Sequence, residues 1–146
     1  MDTSKYIFEK TKDSDKEIIK IPRESIFIGK KIYRIDFYYE DGIQELEVRG
    51  IEEYVRSIDP QTGEEHFLDA APGETPDTYY IILGDGWSVS PYNKYLTKED
   101  CYEASREEHL RYIEENQAMI ERLQFSILNA KRRVENIDKL LSKLRS

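Results

Sequence analysis

Residues 106–144 read REEHLRYIEENQAMIERLQFSILNAKRRVENIDKLLSKL, without a Gly or a Pro. Setting heptad position a at Ile113 places Ile113, Ile120, Ile127, Val134 and Leu141 in one row, and Asn116, Leu123, Ala130, Ile137 and Leu144 at d. Nine of these ten positions are apolar, and a 3-4 spacing sustained that long is the periodicity of a coiled coil. Upstream, Arg106 and His109 would occupy a and d. The seam therefore runs from about residue 113 to 144, and residues 97–112 are expected to pack elsewhere, with Tyr102 and Leu110 against a sheet.

The start of the helix is marked by local chemistry. Thr97 is a good N-cap, Glu99 and Asp100 place negative charge in the first turn, and Leu96 and Cys101 occupy the positions of a hydrophobic staple. Residues 97–146 are read as one helix of about 70 Å at ~1.5 Å per residue. Leaving its stripe in water forgoes roughly 1.5–3 kcal/mol for each large side chain, so a second helix is expected to cover it. A parallel partner, an antiparallel partner, or a fold-back of the chain near residues 126–129 would each do so.

The β-branched residues at a and Leu at d lean towards parallel pairing. Charge leans the other way. Residues 97–121 hold three bases against eight acids, net −5, and residues 122–146 hold seven bases against two acids, net +5. Exposed ion pairs are worth only a few tenths of a kcal/mol, about 0.2–1, so this is a bias between orientations.

Residues 1–96 read as an antiparallel β domain, giving an α+β chain: an N-terminal β-meander or small barrel, then a long C-terminal coiled-coil helix. Residues 1–15 are expected to be a loose arm or an edge strand. Tyr33, Ile35, Phe37 and Tyr39 alternate with Arg34, Asp36, Tyr38 and Glu40, the period of a half-buried strand. Asp41-Gly42 suits a two-residue type I′ turn into IQELEV. Pro60 and Gly63 suit a longer hairpin loop between residues 54–58 and 65–68, and Gly84-Asp85-Gly86 closes a third hairpin from TYYII to WSVS. Strand–helix–strand alternation is absent, so a parallel α/β sheet is not expected.

The 146-residue chain has 38% hydrophobic and 36% charged residues, against typical values of about 45–50% and 25%. Its net charge of −8 disfavours nucleic acid and anionic membrane surfaces as partners. No apolar run approaches the ~18 residues of a membrane span, and the N-terminus lacks a signal-peptide core. A lone Cys101 excludes an internal disulfide. A soluble, cytoplasmic protein is expected.

Catalytic groups are sparse. His66 and His109 sit in no metal spacing, no phosphate loop or nucleophile elbow occurs, and neither a metal nor a cofactor is expected. Cys101 at a helix start is either a thiol activated by the helix N-terminus or a small apolar staple residue. Glu107, Glu108 and Glu115 around His109 form a carboxylate cluster that a solvated helix face explains equally well. Eleven Tyr, five Phe and one Trp are many for this length; Tyr38, Tyr79 or Tyr80, Trp87, Tyr92 and Tyr95 cannot all enter one small core. GDGWSVSPYNKY puts Trp87, Asn93 and Tyr95 just ahead of the helix, where aromatics can stack a base or grip a protein. Lys131-Arg132-Arg133 is the one basic cluster, suited to phosphate or to pairing with the acidic half.

In the order of its elements over the whole chain, this sequence resembles the phage-encoded anti-defence sponges of the Thoeris anti-defence type. These proteins combine an antiparallel sheet with long C-terminal helices, oligomerise, and sequester cyclic ADP-ribose isomers. The resemblance implies a non-enzymatic homo-oligomer that holds a small anionic nucleotide. It nominates Trp87 and Asn93 for the base and Arg132 and Arg133 for the phosphates, with Ile113, Ile120, Leu123, Ile127, Val134, Ile137, Leu141 and Leu144 joining subunits. The alternative is a coiled-coil adaptor or decoy that engages a host protein through its acidic, aromatic-rich β head.

Overall fold

The computed structural model describes residues 1–11 and 16–146. The chain forms two compact units, Met1–Ser105 and Arg106–Ser146. The fold is α+β: antiparallel strands followed by one long helix.

In the first unit, β1 (Ile7–Lys10) pairs with β2 (Glu17–Lys20), and β3 (Lys31–Ile35) with β4 (Ile43–Glu47). A four-stranded sheet has the order β6-β5-β7-β8, from β5 (Gly50–Ile58), β6 (Glu65–Leu68), β7 (Thr78–Ile82) and β8 (Ser88–Val89). The nine-residue β5 serves two partners: Gly50 to Tyr54 ladder with β7, and Val55 to Ile58 with β6. Among the described residues no barrel closes. The core gathers Ile21, Ile32, Val48, Ile81 and Cys101 at full burial, with Tyr6, Tyr79 and Tyr95 at its margin.

The hairpins at β5–β6 and β7–β8 follow their turn residues. Gly63 (φ 74) donates to Asp59 O at 2.8 Å, and Gly86 (φ 84) donates to Leu83 O at 3.0 Å, each using the left-handed backbone that glycine adopts without strain. The β3–β4 connection corrects the expected two-residue turn. Ile35 faces Ile43, so residues 36–42 form a seven-residue loop, and Gly42 alone there has positive φ. Asp36 ends the strand: its carboxylate accepts from Tyr38 N at 3.0 Å and its carbonyl from Tyr39 N at 3.2 Å, an Asx-type turn that competes with the ladder. Phe37, Tyr38 and Tyr39 are consequently exposed loop residues.

Residues 1–10 are more than an arm. Tyr6 enters the core and β1 is an edge strand; residues 12–15, within the stretch read as arm, lie outside the described residues. The segment 91–96 joins strands distant in sequence. Asn93 N donates to Ile19 O at 2.9 Å on the β2 side, and Tyr95 exchanges hydrogen bonds of 2.9 and 2.8 Å with Tyr33 of β3. Between them Asn93 takes the left-handed conformation (φ 55) that redirects the chain.

The helix α1 (Lys98–Arg145) starts as its sequence dictates, with Thr97 Oγ1 accepting from Asp100 N at 3.1 Å. Leu96 and Cys101 both pack on the core. Tyr102 does not bury: it stays exposed and its hydroxyl donates to Asp41 at 3.3 Å. In the second unit Leu110 is exposed and the helix passes through residues 126–129 unbroken, which removes the fold-back solution. Among the described residues no helix is long and apolar enough to cross a membrane.

Candidate functional site

Each unit of the chain offers candidate sites. In the second unit, Ile113, Ile120, Leu123, Ile127, Val134 and Ile137 each expose between 51 and 58% of their surface, Leu141 36% and Leu144 82%. The helix carries these residues at spacings of three and four, which bring their Cβ atoms to one face. Tyr112, Met119 and Leu140 are exposed beside them, one position before a seam residue in each case, and widen the stripe. Together they form one apolar stripe along the exposed helix.

The basic cluster lies on the same helix. Arg132 and Arg133 are both exposed, but successive helical residues do not face each other. The two guanidiniums therefore leave the helix in different directions and do not make a single fork. Arg111 pairs along the helix with Glu115 at 3.9 Å.

In the first unit, Trp87 follows the Gly84-Asp85-Gly86 turn. Its backbone is fixed, with N donating to Asp85 Oδ1 at 3.0 Å and O accepting from Leu83 N at 2.8 Å, while the residue as a whole is 73% exposed. Asn93 has a structural task in its backbone turn, and its side chain is exposed. Trp87 and Asn93 thus belong to one unit and Arg132 and Arg133 to the other.

A depression of about 150 Å³ lies where β1, β2 and β7 meet, lined by Lys20, Arg23, Glu53, Asp77, Thr78 and Tyr79 among others. Ligand pockets run to about 300–1,000 Å³, so this one is too small for a nucleotide. Its cations are already engaged, Lys20 with Glu9 at 3.5 Å and Arg23 with Glu53 at 2.6 Å.

Sequence reasoning did not single out the polar groups that the head buries. The Tyr6 hydroxyl donates to Asp100 Oδ2 at 2.5 Å and accepts from Leu96 N at 2.8 Å; burial, then the Asp100 hydrogen bond, push this phenol well above its ordinary range. Tyr79 donates to Ile21 O, and burial raises it likewise. Lys94 is buried, donates to Tyr92 O at 3.0 Å, and is pushed down to about 8 by burial and by the Arg34 charge. A lysine ahead of a helix carries no pattern that would have announced this.

The Cys101 thiol is fully buried, and burial followed by the Asp41 charge raises it to about 11. The activated-thiol alternative is thereby removed, since it needs a depressed pKa and access. His66 is exposed, 3.6 Å from Glu64. Among the described residues no group of three or more His, Cys, Asp or Glu gathers as a metal site. Comparison of the chain with protein-family models, with curated proteins and with solved structures gives no match.

Proposed function

We propose that this chain is a non-enzymatic, self-assembling binding protein, in which the C-terminal helix joins copies and the β heads hold a small anionic ligand of the cyclic nucleotide class. The observation that carries this is the apolar stripe of the unbroken helix, half exposed along residues 113–144 of a single chain. Covering the remaining half of each large side chain recovers on the order of 1 kcal/mol apiece, close to 10 kcal/mol per chain. With two chains contributing, that exceeds the roughly 4–15 kcal/mol cost of association.

The ligand part is supported by Trp87, which the head leaves largely exposed to stack a base. An anti-defence role fits the resemblance in layout. Mixing the protein with a cyclic ADP-ribose isomer, removing free ligand by filtration and heating the retained fraction tests it. Intact ligand released on heating is the expected result. Cleaved products would make the protein an enzyme, and an empty retained fraction would remove this ligand class.

A further inference from the structure

Lys94 violates the usual rule for buried charge. It is 8% exposed, and a buried ammonium ordinarily faces a carboxylate. Among the described residues no carboxylate forms an ion pair with it; its one hydrogen bond goes to the Tyr92 carbonyl at 3.0 Å. Its neighbour is a second cation. The antiparallel bridge between Tyr33 and Tyr95 makes Arg34 and Lys94 the next residues across the two segments, where like charges repel. Arg34 Nε donates to Gln44 Oε1 at 2.6 Å and, among the described residues, also forms no ion pair with a carboxylate.

The chain has 30 carboxylates for 22 bases, so an unpaired dication is not forced by composition. Burial and the Arg34 charge both penalise the Lys94 ammonium, and an anion between the two groups would relieve both. Arg34 and Gln44 are half-buried, which leaves solvent access on that side. Gln44 holds the guanidinium by one nitrogen, so the other two remain for a forked contact, while Lys94 supplies a point charge with two unused protons.

We propose that Arg34 and Lys94, braced by Gln44, form a binding site for a phosphate-type oxyanion, either inorganic phosphate or the phosphate of a nucleotide. The site lies wholly in the first unit. It deepens the ligand part of the function proposed above and does not require the helix to assemble.

The test is thermal melting of the full chain with inorganic phosphate, with a nucleoside monophosphate, or with chloride at matched ionic strength, for wild type, Lys94→Met, Arg34→Gln and Ile120→Asp/Ile127→Asp. Wild type should melt at rising temperature as phosphate saturates it, and each cation variant should lose about tenfold or more in apparent affinity. Lys94→Met sheds a buried charge and should melt no lower than wild type in chloride, so lost binding will not be lost folding. A stronger response to the nucleotide than to phosphate identifies a nucleotide as the source, and equal responses identify the free ion. The seam variant should keep the wild-type response. Equal phosphate responses in wild type and both cation variants, or no response in wild type, would overturn the site. A response lost only in the seam variant would also overturn it, because binding would then depend on assembly and not on the two cations.

Discussion

Replacing Tyr6 by Phe removes a single oxygen that two buried groups use. The hydroxyl donates to the Asp100 carboxylate at 2.5 Å and accepts from Leu96 N at 2.8 Å, with Tyr6 6% and Asp100 8% exposed. A hydrogen bond to a charged group is worth about 1.5–3 kcal/mol, and stranding the Leu96 N–H adds about 1 kcal/mol. The expected loss is thus about 3 kcal/mol, a large share of the ~5–15 kcal/mol that holds a domain. Urea titration followed by near-UV circular dichroism reads this as a lower midpoint at unchanged slope. Tyr33→Phe is the control, because its hydroxyl meets an exposed Glu45 at 3.3 Å and its loss should cost under ~0.5 kcal/mol. If Tyr6→Phe costs no more than Tyr33→Phe, the Tyr6–Asp100 contact does not anchor the helix start.

Thr97→Ala removes the cap on Asp100 N and should lower stability by about 1 kcal/mol in the same titration. Alkaline pH should destabilise the head. Burial, then the Glu9 hydrogen bond and charge, raise Tyr92 from 10.0 to about 12, and burial raises Tyr6 and Tyr79 as well. The folded state then keeps protons that the unfolded chain gives up above pH 10, so this stability is fully present below pH 10 and is lost as pH rises through about 12. Melting temperatures across that window should fall; a flat profile would contradict the burial of these phenols. Cys101, fully buried, should resist a maleimide at neutral pH and react promptly in urea, and fast labelling of the native protein would contradict its place in the core.

What the sequence made legible was local. The turns around Gly63 and Gly86 and the Thr97 cap act within a few residues, so their chemistry is visible in any short window. Periodicity misled at residues 36–39, because alternation continues past the point where the Asp36 carboxylate captures Tyr38 N and ends the ladder. Closure of the core was not legible. Tyr6 and Asp100 lie 94 positions apart, and the segment 91–96 joins β2 to β3 through backbone bonds that no side-chain pattern encodes. The candidate ligand residues Trp87, Asn93, Arg132 and Arg133 rested on side-chain type, on place in the sequence and on a resemblance in layout. Type does not reveal that Asn93 serves a backbone turn, or that Arg132 and Arg133 diverge on the helix, or that Lys94 is enclosed beside Arg34.

Assembly through the helix is tested most directly by light scattering coupled to size exclusion, on wild type and on Ile120→Asp/Ile127→Asp, both of whose altered side chains are solvent-facing in a single chain. Assembly through the seam gives a wild-type mass that is a whole multiple, two or more, of the 17.3 kDa chain, and a double variant that falls to 17.3 kDa. A wild type already at 17.3 kDa, or a variant that keeps the wild-type mass, would contradict it.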